Sequence, residues 1–528
     1  MMMKPTDAVP ATNPAQDGRA RDDRAHDDLD LLSLRESTLE QIAARGVTVP
    51  GYDRSTVTPG IVHFGVGGFH RAHMAMVLDD LMSAGEATDW GIVGAGVLPH
   101  DVRMRDALAG QDHLYSLTLK HPDGTRQRRV IGSIIDYRYG PDDPQGLINL
   151  LGEEKIRIVS LTVTEGGYNV NPVTGEFISE DATIVADVAA LAAGQLPGTV
   201  FGYVIEALRR RRDAGVPPFT VQSCDNIAEN GHVAKKMFGA FARLVDPELA
   251  DWIDAHVAFP NAMVDRITPA TTDADRAELC EDAGLEDAWP VVAEPFFQWV
   301  LEDAFTAGRP PYERAGVQVV DDVRPYEHMK LRLLNSGHQG LAYFGLLAGY
   351  TYAHEAMENS DIASYLRRYM DEEGTPSLEP LPGIDLEGYK DSLIERFSNP
   401  EIRDTLARLG AESSDRIPKW LVPVIADNLG SGAPVEVSAA ICASWARYAE
   451  GSDEQGAPFT IVDRFAAQLQ QVANSQAVDA LAFVRQEQFF GPLAEDSRFT
   501  GHYLTALASL HEQGAKETVR RLAAHEAL

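Results

Sequence analysis

Four short β-rich runs in the first part of the chain each end in a turn rich in Gly, Asp or Asn. That repetition constrains the fold more than any other feature. Ile61-Val62-His63-Phe64 runs into Gly65-Val66-Gly67-Gly68-Phe69, followed by a helical stretch from about His70 to Met82. Trp90-Gly91-Ile92-Val93 leads into Gly94-Ala95-Gly96. Ile156-Arg157-Ile158-Val159-Ser160-Leu161-Thr162-Val163 leads into Thr164-Glu165-Gly166-Gly167-Tyr168, and Phe219-Thr220-Val221-Gln222 into Ser223-Cys224-Asp225-Asn226. Strand, glycine turn and helix in succession predict an open parallel α/β sheet, in which ligands bind beyond the carboxyl ends of the strands. After about residue 322 the β-rich runs stop and the pattern is mostly helical, with one long helix expected over Pro325 to Tyr350. The reading is a three-part chain: a disordered tail over 1–30, an α/β unit over 31–315 and a helical unit over 316–528.

Composition narrows the partners. Lys and Arg number 46 and Asp and Glu 79, so the 528-residue chain carries a net charge of −33. Such a chain repels nucleic acid and anionic membrane. No apolar run approaches the roughly 20 residues of a membrane span, and residues 1–30 lack a basic-then-apolar leader pattern. Cys224, Cys280 and Cys442 are too widely spaced for a zinc ribbon or a disulfide framework, as suits a reducing cytoplasm.

Gly65-x-Gly67 stands after a strand and before a helix, the context of a dinucleotide-binding turn, although His70 occupies the place of the third glycine. The glycines would let the backbone approach a pyrophosphate; an ordinary tight turn is the other reading. An acidic residue is expected at the end of the next strand to meet the adenosine ribose, and Asp101 is the candidate, against a plain surface role after Pro99. Facing the ribose, Asp101 would repel a 2′-phosphate and favour NAD. His70 and His73 lack a third partner of metal-ligating type nearby and are not read as a metal pair.

The run Lys330-Leu331-Arg332-Leu333-Leu334-Asn335-Ser336-Gly337-His338 is the other oddity. At roughly 100° per residue, Glu327, Lys330, Asn335 and His338 fall within about a 140° arc of a helix that is otherwise apolar downstream. Buried polar groups of this kind need partners or a cleft. Spacing alone leaves open a capped helix start with a satisfied core histidine and a snorkelling lysine. The YxxxK match of Tyr326 and Lys330 is read as accidental, because the glycine pattern that accompanies that motif elsewhere is missing.

Taken together, Ile61 through His73, Ser223-Cys224-Asp225-Asn226, Phe259 through Pro269 and Lys330 through His338 resemble the mannitol dehydrogenase family of long-chain polyol dehydrogenases, over about residues 55–500. The resemblance implies a Rossmann-type N-terminal domain, a mostly α-helical C-terminal domain and metal-independent hydride transfer between NAD and a polyol or ketose. It implies Lys330 as general base, Asn226 and Asn335 holding the substrate oxygen, His338 orienting the substrate, and Glu327 connecting Lys330 to solvent. Asp265, Arg408 and Arg416 would contact the sugar; the family commonly has Lys where Arg416 stands. The expected cofactor-facing set is Gly65, Gly67, Gly68, Phe69, His70, Arg71 and Asp101. A monomer is expected by resemblance. Rival readings are an arabinitol or glucitol dehydrogenase, a fructuronate or tagaturonate reductase or a sugar-phosphate enzyme of the same family, and a non-catalytic dinucleotide sensor. The charge of −33 disfavours anionic substrates, while Arg408 and Arg416 offer local cations.

Overall fold

A computed structural model describes residues 30–171, 174–458 and 460–528; the expected N-terminal tail lies outside the described residues except for Asp30. Five strands form one parallel sheet: β1 (Pro59–Phe64), β2 (Gly91–Gly96), β3 (Ile134–Tyr139), β4 (Ile158–Leu161) and β5 (Thr220–Ser223). Their order across the sheet is β3-β2-β1-β4-β5 and every neighbouring pair is parallel. This is the Rossmann arrangement, with its switch in direction between β1 and β4. Val62 and Phe64 of β1 face one buried cluster and Ile61 the other, so both faces of the sheet are covered.

The turn after β1 is shaped by one close approach. Gly65 has φ +93, and a Cβ there would lie 2.1 Å from the carbonyl oxygen of Thr162, which follows β4. Thr162 in turn donates its N–H to the Phe64 carbonyl at 2.9 Å and its hydroxyl to the Gly65 carbonyl at 2.7 Å. The first two glycines of the motif lead into α1 (Gly68–Ala72). A second, three-stranded sheet carries the Phe259–Pro269 stretch: β6 (Ala262–Asp265) pairs antiparallel with β7 (Gln298–Glu302), which pairs parallel with β8 (Gln318–Val320).

No strand among the described residues follows Val320, and the rest of the chain packs as helices around one large apolar cluster. The long helix expected over Pro325–Tyr350 is continuous but not uniform. It comprises α2 (Arg324–Met329), a π-helical segment Lys330–Asn335 and α3 (Ser336–Leu347). It stops at Gly349 (φ +88), where the N–H groups of Gly349 and Tyr350 bond back to the carbonyls of Leu346 and Gly345. Among the described residues no helix is long and apolar enough to cross a membrane.

Gly65→Ala is expected to destabilise the protein by about 2 kcal/mol or more, because left-handed strain and a backbone clash add. Gly124→Ala, at φ +85 with nothing within 4 Å of its Cβ, is expected to cost only the strain, about 1 kcal/mol. Urea unfolding followed by tryptophan fluorescence compares the two; equal losses would mean that the Thr162 contact does not constrain the turn.

Candidate active site

A cavity of about 700 Å³ opens between the carboxyl ends of β1, β4 and β5 and the helical region. The structure gathers most of the expected residues on its wall: Gly65, Gly67, Gly68, Phe69 and His70 from the turn after β1, Asn226 after β5, Asp265 at the end of β6, and Lys330, Asn335, His338, Arg408 and Arg416 from the helical region.

The π segment explains how the helical residues converge. The Ser336 N–H reaches the carbonyl of Leu331, five residues back. In such a turn the fifth residue takes the place that the fourth holds in an α-helix. Lys330 and Asn335 therefore stack on one face, where an α-helix would set them about 140° apart. His338 follows Asn335 by one ordinary α turn and joins the same face.

Lys330 is buried, with 6% of its surface exposed. Its Nζ donates to Asn226 Oδ1 and, at 2.8 Å, to the Val264 carbonyl. Burial pushes its pKa below the ordinary lysine value; Asp265 and Glu327 pull it back up and Arg396 pushes it further down. Asn226 is set by its neighbour Asp225, whose carboxylate accepts the N–H groups of Val163 and Thr164 and the Tyr168 hydroxyl, tying the turns after β4 and β5 together. Asn335 is buried, and its amide oxygen Oδ1 has no hydrogen-bond partner. An orphaned buried amide on a cavity wall is a place for a polar ligand atom. His338 is held near 3 by burial, so its imidazole is neutral, with its ring 4.6 Å from that of Phe397.

Glu327 sits one turn before Lys330, behind the cavity wall. Its carboxylate accepts the Glu229 N–H at 2.9 Å, which Glu229 presents from a left-handed backbone (φ 50). Burial raises the Glu327 carboxyl to about 7.

Other expected residues are placed differently from a free ligand contact. Both Asp265 oxygens are already held by Arg396, at 2.8 and 2.9 Å, so Asp265 reaches the cavity as one half of an ion pair. Burial pushes the Asp265 carboxyl up, but the Arg396 fork outweighs it and keeps the pKa below the ordinary value. Arg408 pairs with Asp404, and Arg416 donates to the carbonyls of Leu409 (2.9 Å) and Arg408 (3.3 Å). Arg71 is a correction. Its guanidinium turns into the core of the α/β unit, bonding the Trp289 and Gly67 carbonyls beside Tyr115, because one step past His70 on α1 points the side chain away from the cavity. Asp101 follows β2, but it caps its own turn by accepting the Val97 and Leu98 N–H groups at 2.9 Å, and it lies outside the cavity wall.

His70 stacks on His63 at 3.4 Å between ring centroids, and neither of its ring nitrogens has a partner. His73 bonds the Gln298 carbonyl at 3.1 Å through one nitrogen. Among the described residues no three His, Cys, Asp or Glu side chains come together as metal ligands. Arg396 and Glu294, which complete the Asp265 pair, carried no signal in the sequence reading.

The sequence profile of the mannitol dehydrogenase Rossmann domain matches residues 59–314, and that of the mannitol dehydrogenase C-terminal domain matches 322–511. The chain is 44% identical over 495 residues to a mannitol 2-dehydrogenase of Phaeosphaeria nodorum (93% of this chain, 86% of that protein). It is also 44% identical to one of Neosartorya fischeri (92% and 98%). Among solved structures it is similar to Pseudomonas fluorescens mannitol 2-dehydrogenase in ternary complex with NAD and D-mannitol, at TM-score 0.81 and 45% identity (93% and 99% covered). A substrate-free D-sorbitol dehydrogenase gives TM-score 0.86 at 39% identity (92% and 100%).

The raised carboxyl of Glu327 has a signed consequence for stability. The folded chain binds that proton more tightly than the unfolded one, so its contribution is full below the unfolded value of 4.5 and is lost as pH rises through about 7. Glu327→Gln removes the titration. Its stability relative to the parent is expected to improve by about 3 kcal/mol between about pH 4 and about pH 8. Urea midpoints at several pH values measure this, and a difference independent of pH would mean that Glu327 titrates normally.

Proposed function

The chain belongs to the mannitol dehydrogenase family, and from that membership and the cavity geometry we propose that it oxidises D-mannitol to D-fructose with NAD and catalyses the reverse reduction. The observation that carries the chemistry is the buried Lys330 ammonium, bonded to Asn226 and sharing one cavity wall with Asn335, whose buried amide oxygen has no partner.

The opposite wall fits a dinucleotide. The backbone at Gly65 passes where a Cβ would strike Thr162, and Gly67 has only the Gly65 carbonyl within 4 Å of where its Cβ would be, at 3.8 Å. His70 adds two buried ring nitrogens without partners on the same wall. Bound NAD supplies the hydride acceptor. The protein supplies the rest. Lys330, its pKa lowered by burial, takes the hydroxyl proton of the secondary alcohol as a neutral amine. The resulting ammonium and the Nδ2–H groups of Asn226 and Asn335 donate to the oxygen as negative charge develops. Neutral His338 has one donor and one acceptor for the neighbouring hydroxyls. Glu327, with its carboxyl near 7, is poised to accept the proton from Lys330 and pass it toward solvent. No step needs a metal, because a lysine and two amides occupy the place where a Lewis acid would act. Arg408 and Arg416 line the substrate end.

The resemblance to a D-sorbitol dehydrogenase at the higher TM-score of 0.86 favours one second reading, with sorbitol as the physiological polyol. Relative kcat/KM on mannitol, sorbitol, arabinitol and the hexuronates decides between them, and no turnover with any of them would favour a dinucleotide sensor. We further read the enzyme as a cytoplasmic monomer, in keeping with three free cysteines. We place its unit boundary near residue 315.

Lys330→Ala is expected to lose about 10²–10⁴-fold in polyol oxidation, with NADH binding kept. Tyr326→Phe should keep most of its activity, since that hydroxyl donates to the Pro382 carbonyl at 3.2 Å. Chelator treatment should leave the parent rate unchanged. An inactive Tyr326→Phe beside an active Lys330→Ala would overturn the mechanism. Separately, Asp101→Ala is expected to narrow the ratio of kcat/KM for NAD over NADP; an unmoved ratio would leave Asp101 with its turn-capping role alone.

A further inference from the structure

Arg396 sits near the end of α4 (Leu386–Phe397) in the helical region, with 7% of its surface exposed. Its guanidinium grips two carboxylates of the α/β unit at once. Nη1 and Nη2 bond Asp265 Oδ2 and Oδ1 at 2.8 and 2.9 Å, while Nε and Nη2 bond Glu294 Oε2 and Oε1 at 2.9 and 2.8 Å. Its flat face lies 3.9 Å over the Phe296 ring. Glu294 is fixed in turn by the Ile267 N–H at 2.6 Å. A planar fork with several donors suits this double grip, and an ammonium does not.

Neither Arg396 nor Glu294 lines the cavity, so neither touches substrate; Asp265 does line it. Asp265 also directly follows Val264, whose carbonyl accepts a hydrogen bond from Lys330. The network therefore reaches Lys330 in two ways: through the backbone of β6, and through its charge. We propose that Arg396 is a positioning residue for proton transfer: its guanidinium, shared between Asp265 and Glu294, latches the helical region to β6 and sets the charge that Lys330 meets. The inference rests on the reading of Lys330 as general base.

The charged and titratable groups around Lys330 are Asp265 with its partners Arg396 and Glu294, then Glu327, His338 and His73. Burial keeps His338 and His73 neutral, each near 3, so the network and Glu327 carry the field. Burial raises the Glu294 carboxyl above its ordinary value, against the pull of Arg396 and the Ile267 N–H; with both carboxylates ionised, one guanidinium leaves a net charge of −1. Arg396→Met makes it −2 and should hold the proton on Lys330 more tightly. Glu294→Gln makes it 0, keeps an acceptor for the Ile267 N–H, and should release that proton more easily. Both variants break the same network, so damage to the fold alone would not move the two in opposite directions.

The experiment is the pH profile of kcat for polyol oxidation in the full-length enzyme, with KM and NADH affinity measured alongside. Arg396→Met is expected to move the profile's midpoint up by on the order of one pH unit and to raise KM for the polyol several-fold, with NADH affinity unchanged. Glu294→Gln is expected to move the midpoint down by a smaller amount. Arg396→Lys keeps the charge and should return the midpoint to the parent value, with KM still raised. Midpoints that stay in place, or that move in the same direction in both variants, would overturn the proposal. If Arg396→Met does not fold, Glu294→Gln decides alone: a downward shift supports the proposal, and no shift or an upward one overturns it. An active Lys330→Ala would instead overturn the general-base reading, so the two failures are told apart.

Discussion

A lysine ammonium taken out of water loses several kcal/mol of hydration unless charge and hydrogen bonds replace it, and Lys330 is only 6% exposed. Around this one group the two halves of the molecule are fitted. The α/β unit supplies a side-chain oxygen from the turn after β5 and a carbonyl from β6. It also supplies the Asp265 carboxylate, while the helical region supplies the lysine, its neighbour Glu327 and the Arg396 counter-cation. The field is deliberately incomplete. Burial still wins and lowers the pKa, which leaves a group able to take a proton instead of a permanent cation.

That balance needs backbone precision on both sides of the crevice. On the sheet side, Asp225 ties the turns after β4 and β5 with both carboxylate oxygens and so holds Asn226 in reach. On the helical side the π segment supplies the phase. An ideal α-helix would turn Asn335 well away from Lys330, whereas one wider turn stacks them. The wider turn gives up regular α-helical bonding in that stretch, and the apolar packing of α3 against the large helical cluster accommodates it.

The strand-to-glycine-turn rhythm made the parallel sheet legible, because backbone demands at strand ends select Gly, Asp and Asn whatever the partners. Lys330, Asn335 and His338 were legible as polar intrusions in an apolar helix. Their place on one arc of about 140° was legible too; the closer alignment of Lys330 with Asn335 was not, since the offset of a backbone hydrogen bond leaves no trace in composition. Nor was the grip on Asp265: Arg396 lies 131 residues from it and 102 from Glu294, and an arginine in an amphipathic helix reads as a solvated face. Arg71 failed for a related reason. It is adjacent in sequence to a cavity residue, and adjacent positions on a helix point in different directions.

The folded protein holds the Lys330 amine at a lowered pKa inside the crevice. The direct measurement is competitive acetylation of the native, substrate-free enzyme across a pH series, read peptide by peptide by mass spectrometry, with half-exposed Lys155 as the internal reference. The Lys330 labelling rate is expected to rise with pH well before that of Lys155 and to level off while the reference is still climbing. Lys330 and Lys155 rising together, at the ordinary lysine range, would contradict it.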